Sequence, residues 1–427
     1  MKIAISAYAK KILSGLDWSL FKDSAILTFG MVLARGLGLL VTMLEARLFE
    51  PADFGILQYA ISVAGIIAIG VQPFGQHVLS RYVGMLRDKP AQLHEYLSNI
   101  WGSMGVIFCV SLALAIPILV YIGDFNLGAL AIFLGTCVYY AYYGLARGYL
   151  ASGRLVSVDV GNNILQIILI LCLIQLLNIR STLLAMFLQG FACFIPIILL
   201  QYFWPLPNAF DRKLLNREAA KSIFKFSLPI WVSHASYILY GTIAILFLKY
   251  YTDTTTVGIF SLATTLSIAL AFFPNALATF LMPKVAGAPG KRHRILLANA
   301  LGLTMLSSIV LIIAYYFFAP WLVERLFGRE YLIFPGIFVL MAGVSTLGGV
   351  HSIITSAYVG KGRAEEETKS RLAALAVTFV SCWLLIPTYG IMGAVWASVF
   401  GIVCSLMVYG FVYMRDHLQS TQTDLKI

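Results

Sequence analysis

Long apolar runs, separated by short clusters of charged residues, fill almost the whole chain. A helix needs about 20 mostly apolar residues to cross a hydrocarbon layer about 30 Å thick, and twelve runs approach or exceed that length. The pattern predicts an all-α polytopic membrane protein with twelve transmembrane helices. The predicted spans are Ser24–Phe49, Phe54–Leu79, Tyr96–Ile122, Leu127–Leu150, Val158–Ile179, Thr182–Phe203, Ile223–Leu248, Thr255–Met282, Ile295–Phe318, Tyr331–Val359, Leu372–Pro387 and Ile391–Met414.

The distribution of lysines and arginines predicts which way the spans face. With the N-terminus in the cytoplasm, 24 of the 30 basic residues fall on cytoplasmic segments, four fall on external loops, and two lie within the first span. Basic residues concentrate on the cytoplasmic side of membrane proteins. We therefore expect both termini in the cytoplasm. Residues 1–23 form either an amphipathic helix on the membrane surface or a frayed tail, and residues 415–427 form a C-terminal tail.

The two halves of the chain repeat each other at a register of 203 residues. Gly55 meets Gly258, within GILQYAIS against GIFSLATT. A shift of six spans preserves sidedness, so the halves are predicted to be two six-helix lobes related by a pseudo-twofold axis along the membrane normal. We expect the lobes at 24–203 and 223–414, a cytoplasmic linker at 204–222, and a central cleft between the lobes.

Each half also carries a proline near the same place in its second span. These prolines are Pro73 and Pro274, two residues away from perfect register. Interrupted helices at corresponding positions point to a moving or substrate-lining element, and a static kink is the alternative.

Composition argues against a soluble protein and against an enzyme. Hydrophobic residues make up 60% of the chain and charged residues 11%, whereas about 25% is usual for charged residues in soluble domains. The longest loop, the linker, is too short for a catalytic domain, and the GxxxxGK[ST] phosphate loop of an ATPase is missing from the sequence. The lysines and arginines behind the net charge of +11 lie mainly in the loops between the membrane spans, so the charge does not indicate a nucleic-acid-binding protein. We expect a transporter with no metal site.

Arg35 is the one basic residue predicted deep in the membrane. It lies eleven residues past Ser24, about 16 Å at 1.5 Å per residue, which is near the bilayer midplane. An arginine there costs at least about 2.5–3.5 kcal/mol, so it should face a watery cavity or a polar partner. Glu45 lies about 15 Å further along the same helix and is out of reach. We expect Arg35 to bind substrate, with structural pairing to another helix as the alternative.

Five more residues are candidate substrate-binding groups. Arg47 and Lys249 precede the first external loop of each half, where they either extend a basic strip along the cleft or snorkel to headgroups. Asn163 and His234 either face the cleft or hydrogen-bond between helices, and a histidine can also titrate in a proton-coupled cycle. Tyr140 belongs to four tyrosines in the middle of the fourth span, whose rings and hydroxyls suit sugars. At most two of the four are expected to face one cavity.

Three strings resemble the polysaccharide transporter family, which holds the O-antigen flippases of the Wzx type within the multidrug/oligosaccharidyl-lipid/polysaccharide exporter superfamily. They are ARLFEPADFG at 46–55, RLFGREY at 325–331 and IPTYGIMGAVWAS at 386–398. Lipid II flippases of the same superfamily usually have more spans, and residues 34–38 match their first helix at the arginine but not at the serine. Multidrug antiporters favour acidic residues in the cleft, where this chain has Arg35.

The resemblance implies alternating-access flipping of a polyprenyl-pyrophosphate-linked oligosaccharide, such as an O-antigen unit of lipopolysaccharide, from the cytoplasmic to the periplasmic leaflet of a bacterial inner membrane. The planar fork of Arg35 suits phosphate oxygens. A polysaccharide polymerase and other assembly proteins are the implied partners beside the lipid bilayer. No resident cofactor is expected, and coupling to a proton or sodium gradient stays open. The alternative functions are an ion-coupled multidrug antiporter and a lipid II type flippase.

Overall fold

The computed structural model describes residues 18–122, 126–172, 181–208, 210–286, 290–334 and 336–424. Most of the predicted segment 1–23 therefore lies outside the described residues. Twelve helices in the described part are long and apolar enough to cross a membrane, which confirms the all-α prediction. These helices are α1 (Trp18–Leu48), α2 (Pro51–Ile67 and Ser80–Leu86), α3 (Pro90–Ile122), α4 (Leu127–Gly148), α5 (Ser152–Leu171), α6 (Thr182–Phe191 and Phe194–Phe203), α7 (Arg217–Tyr251), α8 (Thr254–Ile268 and Phe272–Ala286), α9 (Gly290–Leu326), α10 (Gly336–Gly360), α11 (Ala364–Tyr389) and α12 (Ile391–Asp424).

Several helices begin earlier than the apolar runs predict, and α7 and α11 show why. Helix α7 starts at Arg217, inside the predicted linker 204–222, because the Asn216 side chain caps it by accepting a hydrogen bond from the helix's second residue. Helix α11 starts at Ala364 rather than at Leu372, with three glutamates in its first turn, where the helix dipole favours negative charge. The predicted starts were wrong because charged helical residues were counted as loop.

The second helix of each lobe is interrupted near the predicted proline. In α2, a 3₁₀ turn at Ala68–Gly70 and a π-helical turn at Phe74–Leu79 lie on either side of Pro73. In α8, a 3₁₀ turn at Ala269–Ala271 comes just before Pro274. Irregular turns in the middle of a helix often mark functional hinges. The predicted break at corresponding positions of the two halves is confirmed.

Helices α2 and α8 cross where two glycines meet. A Cβ atom on Gly55 would lie 1.8 Å from the carbonyl oxygen of Thr254, and one on Gly258 would lie 2.2 Å from the carbonyl oxygen of Pro51. The repeat register of 203 residues relates Gly55 to Gly258 and Pro51 to Thr254, so the contact is reciprocal. Reciprocal contacts between equivalent residues are the signature of a twofold axis. The lobes α1–α6 and α7–α12 are related as the repeat predicts.

Corresponding helices also pack in corresponding ways within the two lobes. Helix α1 packs along α5 in the first lobe, and α7 packs along α11 in the second. The bundle has two distinct ends. We refer to the end with Arg87–Lys89, Arg212–Lys213 and Lys361–Arg363 as the basic end, and to the end with the α1–α2 and α7–α8 turns as the closed end.

One hydrophobic core joins both lobes at the closed end. The rings of Phe54 and Tyr331 meet edge to face with centroids 6.2 Å apart, and the Tyr331 hydroxyl donates a hydrogen bond of 3.0 Å to the carbonyl oxygen of Ala46. Gly328, at φ +112°, turns the chain toward Tyr331 with a backbone conformation that favours glycine. Two of the strings that carry the family resemblance, at 46–55 and 325–331, therefore close this end together.

The linker between the lobes is tied to α3 at the basic end. The Asn99 side chain donates to the carbonyl oxygen of Leu214 at 3.0 Å and accepts from the backbone N–H of Asn216 at 2.8 Å. The backbone N–H of Asp211 donates to the Ser98 hydroxyl at 3.0 Å. The start of α7 is thus fixed to the first lobe through hydrogen bonds that replace those lost by the loop backbone.

Candidate functional site

Three tyrosines of α4 form one aromatic patch. The ring centroid of Tyr139 lies 5.1 Å from that of Tyr140 and 5.9 Å from that of Tyr143. The Tyr139 hydroxyl donates a 2.6 Å hydrogen bond to the carboxylate of Asp159 on α5, which fixes the patch against the neighbouring helix. Tyr142, the fourth, is buried at 5% exposure on another side of α4. Three of the four tyrosines therefore lie together on one side of α4.

The second lobe extends this patch with a cation. The guanidinium of Arg371 on α11 lies 4.8 Å from the ring centroid of Tyr237 on α7 and pairs with the carboxylate of Glu367. Tyr237 and Tyr140 of the opposite lobe influence each other electrostatically, and neither a ring contact nor a hydrogen bond joins them in the described part of the chain. These groups form what we refer to as the tyrosine–arginine strip, whose members are Asp159, Tyr139, Tyr140, Tyr143, Tyr237, Arg371 and Glu367.

His234 contacts the interrupted part of α2. Its Nε2 atom lies 2.9 Å from Oε1 of Gln72, and its ring centroid lies 6.0 Å from that of His77. Phe74 and Phe224 continue this contact with centroids 5.5 Å apart. His234 is therefore half-buried in a hydrogen bond between the lobes, which is one of the two roles that its sequence position allows.

Asn163 connects α5 to α1 beside Arg35. Its side-chain amide donates to the carbonyl oxygen of Ala34 at 3.1 Å and to that of Asp159 at 2.8 Å. The structure therefore places Asn163 in an interhelical hydrogen bond, one turn from the strip. This bond holds the α1 backbone at the residue next to Arg35.

Arg35 shares a face of α1 with a residue of the core that joins the lobes. Residues seven and eleven positions apart share a helix face, so Arg35 shares a face with Thr42 and Ala46. Ala46 is 1% exposed in the core that joins the lobes, whereas Arg35 is exposed, about 16 Å nearer the basic end. Helical spacing thus puts the exposed Arg35 on the same face of α1 as Ala46 of the core that joins the lobes.

The two basic residues near the closed end are not brought together with Arg35. Arg47 is exposed and shares a helix face with the exposed Leu40, not with Arg35. Lys249 is half-buried and lines an apolar cavity of about 1130 Å³ between α2, α3, α7 and α11, with its Nζ atom 6.0 Å from the ring centroid of Tyr59. The continuous basic strip suggested by the sequence is absent among these described residues.

Sequence reasoning missed Asp159 and Arg371. Arg371 stands immediately before the predicted eleventh span and Asp159 immediately after the predicted start of the fifth, so both were treated as boundary charges. The spacing of the charges could have identified Arg371 as a helical residue. It follows Glu367 by four residues, and the two side chains pair within one helix.

The strip combines groups that recognise sugars and phosphates. Tyrosine rings offer apolar faces for stacking on sugar rings, and their hydroxyls offer hydrogen bonds. A guanidinium binds phosphate oxygens at two points. The strip therefore offers aromatic faces, hydroxyls and a guanidinium, beside the carboxylates of Asp159 and Glu367.

Solved structures with the same fold are transporters. The lipid II flippase MurJ, in an inward closed conformation, superposes with a TM-score of 0.69 over 90% of this chain and 87% of that one, at 15% identity. An inward-facing multidrug resistance MATE family transporter of the MOP superfamily gives 0.58 over 92% and 96%, at 17% identity. A mutant of the Vibrio cholerae MATE transporter VcmN gives 0.59 over 95% and 98%, at 18% identity. These likenesses show the fold.

Similar sequences come from archaea. An uncharacterized membrane protein of Methanocaldococcus jannaschii is 24% identical over 422 residues, which cover 93% of this chain and 98% of the relative. Agl15 of Haloferax volcanii, a probable low-salt glycan biosynthesis flippase, is 21% identical over 194 residues, which cover 44% of this chain and 41% of the relative.

The family model for polysaccharide biosynthesis proteins matches residues 20–288, well over half of the chain. The matched part contains Arg35, the α4 tyrosines and the crossing of α2 and α8. The chain therefore belongs to the polysaccharide biosynthesis protein family, and its described residues hold twelve candidate membrane spans.

Proposed function

We propose that this protein flips a polyprenyl-pyrophosphate-linked oligosaccharide from the cytoplasmic to the outer leaflet by alternating access between its lobes. The observation that carries the proposal is the tyrosine–arginine strip. It groups aromatic rings and phenol hydroxyls on α4 of the first lobe and stacks a guanidinium on a tyrosine ring in the second lobe.

The strip and Arg35 have separate tasks in this proposal. The tyrosines stack on and hydrogen-bond to the sugars, while Arg371 and Arg35 compensate the negative charge of the pyrophosphate. An anion that crosses hydrocarbon without a cation pays a large desolvation cost. A membrane potential that is negative inside assists outward movement of the pyrophosphate by about 2.3 kcal/mol per charge per 100 mV.

The orientation follows from the charges. The basic end belongs in the cytoplasm if the concentration of lysine and arginine on that side holds, and the closed end then faces outward. A substrate entering from the cytoplasm would reach Arg35 and the strip while the outer end is shut.

The proposal also covers the substrate, the membrane, the location of the termini and the partner proteins. It comprises an O-antigen or related surface polysaccharide unit, the bacterial inner membrane, cytoplasmic termini, and a polymerase and other assembly proteins as partners. Coupling to a proton or sodium gradient is part of it as well, and imposed gradients in the flipping assay separate the two ions.

The test is complementation in the native cell after removal of the protein. The measurements are surface glycan and the lipid-linked sugar that accumulates on the inner leaflet. A hydrogen bond to a charged group contributes about 1.5–3 kcal/mol, so Arg35→Ala and Arg371→Ala should each lower glycan display about tenfold or more. Arg35→Lys keeps the charge but loses the fork and should retain part of the display. Arg292→Ala, at an exposed arginine near the start of α9, is the matched control.

Two results would contradict the proposal. One is full glycan display by Arg35→Glu at wild-type protein levels. The other is a removal strain that keeps its surface glycan but becomes sensitive to cationic drugs, which would favour the multidrug antiporter instead.

A further inference from the structure

The apolar cavity between α2, α3, α7 and α11 lies outside the tyrosine–arginine strip. We refer to it as the lateral groove. Its volume is about 1130 Å³. Many lining side chains are large, apolar and exposed on the surface of the bundle, among them Val110 at 51%, Leu114 at 61% and Leu228 at 59%. In a membrane, such a groove opens sideways toward lipid chains.

The lateral groove is longer than one leaflet. On α2 its lining runs from Tyr59 to Phe74, and on α7 from Phe224 to Tyr251. At 1.5 Å per residue these stretches are about 22 Å and about 40 Å long. The hydrocarbon of one leaflet is about 15 Å deep, half of the usual 30 Å. An acyl chain confined to one leaflet therefore fills only part of the groove, whereas a long isoprenoid chain can follow it past the midplane.

A single charge marks one end of the lateral groove. Among its described lining residues, Lys249 alone is charged. It lies two residues before the end of α7 at the closed end, and no carboxylate of the described residues forms an ion pair with it. An ammonium at the end of an apolar groove is complementary to a lipid whose hydrocarbon chain ends in a phosphate group.

We propose that the lateral groove binds the isoprenoid chain of the lipid diphosphate substrate once the headgroup has left Arg35 and the strip, with Lys249 beside the diphosphate at the closed end. The inference rests on the proposed function. Hydrophobic transfer does not drive this binding, because lipid tails are as apolar as the groove. Close packing against aromatic and aliphatic side chains and the charge of Lys249 select the ligand instead. Helices α2 and α7, which meet through Gln72 and His234, separate the groove from the strip.

The test uses the full-length protein in nanodiscs of phosphatidylethanolamine and phosphatidylglycerol. The probe is a polyprenyl diphosphate with a diazirine in the middle of its chain, and labelled peptides are read by mass spectrometry. We expect labelling on the groove faces of α3 and α7. Val110→Trp and Leu228→Trp fill the groove and should each lower labelling at least fivefold. Leu306→Trp, on α9 and 63% exposed, is the matched control and should change nothing.

A second comparison isolates the charge. A second probe carries the same diazirine on a polyprenol that lacks the diphosphate and is uncharged. Lys249→Gln should lower labelling by the diphosphate probe several-fold and leave labelling by this polyprenol unchanged. Thermal unfolding of each variant, compared with Leu306→Trp, shows whether a loss of labelling comes from misfolding.

Three results would overturn the inference. Equal labelling of the groove by a diazirine phospholipid with an 18-carbon chain would make it an ordinary lipid site. Labelling concentrated on other helices would place the chain elsewhere, and so would undiminished labelling of folded Val110→Trp and Leu228→Trp. Surface glycan is measured separately, so unchanged glycan after removal of the protein contradicts the proposed function, while normal flipping without groove labelling contradicts this inference alone.

Discussion

Replacing Gly55 by alanine should weaken the contact that shuts the closed end. The new Cβ atom would lie 1.8 Å from the carbonyl oxygen of Thr254, and ordinary van der Waals contact begins near 3.4 Å. The obstacle is backbone of another helix, so no side chain can turn aside to make room. Helices α2 and α8 must therefore move apart by more than 1 Å where the lobes meet.

The size of the effect follows from the cost of overpacking. Forcing an extra carbon into a packed contact costs about 1–3 kcal/mol. If the open form of this end is free of the clash, the equilibrium between open and closed forms shifts by that amount, about 5- to 150-fold. Gly258→Ala should act similarly, because its Cβ atom would lie 2.2 Å from the carbonyl oxygen of Pro51.

Distances between spin labels at the closed end measure this shift. Glu50 belongs to the first lobe and Tyr389 to the second, and both are exposed near this end. Cysteines at these two positions, in a background without the six native cysteines, carry the labels. Double electron–electron resonance measures the distance between the two labels. It should show a longer-distance population in Gly55→Ala that is minor or absent in the parent protein.

The matched control is Gly65→Ala on the same helix. A Cβ atom on Gly65 meets nothing within 4 Å, so the distance distribution should equal that of the parent. If Gly55→Ala and Gly258→Ala both give the parent distribution with unchanged thermal unfolding, the glycine crossing is not what closes this end.

Two further predictions concern single side chains. Tyr331→Phe removes the hydroxyl that donates to Ala46, so it should shift the same spin-label distances in the same direction by about 0.5–1.5 kcal/mol; an unchanged distribution would contradict this. Glu366, 1% exposed, accepts from Arg363, Lys369 and Arg415 at 3.1–3.4 Å. Glu366→Ala removes the charged hydrogen bonds to these three partly exposed cations and should lower stability by about 1.5–3 kcal/mol, measured by thermal unfolding in detergent, while the exposed Glu365→Ala should not.

The number of spans and the relation between the lobes could be predicted from the sequence because both depend on patterns along one chain. Apolar length sets the spans. The 203-residue register pairs Gly55 with Gly258, and the structure places these two glycines in contact. The prolines likewise mark the irregular turns of α2 and α8 closely, because a missing backbone donor disturbs a helix wherever it falls.

The strip could not be predicted, because its members come together through packing between helices. Nothing in the local sequence joins Tyr139 to Asp159 or Tyr140 to Tyr237. The apolar-run criterion also placed Arg371 in a loop, since it treats each charge as a boundary. A charge that is paired inside its own helix, as Arg371 is with Glu367, costs less in the membrane than the criterion assumes.

The interrupted helices separate the two sets of contacts that hold the lobes together. On α2, the crossing at Gly55 lies 13 residues, or about 20 Å, before the 3₁₀ turn that begins at Ala68. The contacts of Gln72 and Phe74 with α7 lie beyond that turn. A straight helix would transmit a tilt at one end to the other. Because α2 and α8 are both broken between their ends, the crossing can separate while the contacts nearer the basic end persist, which is what alternating access requires.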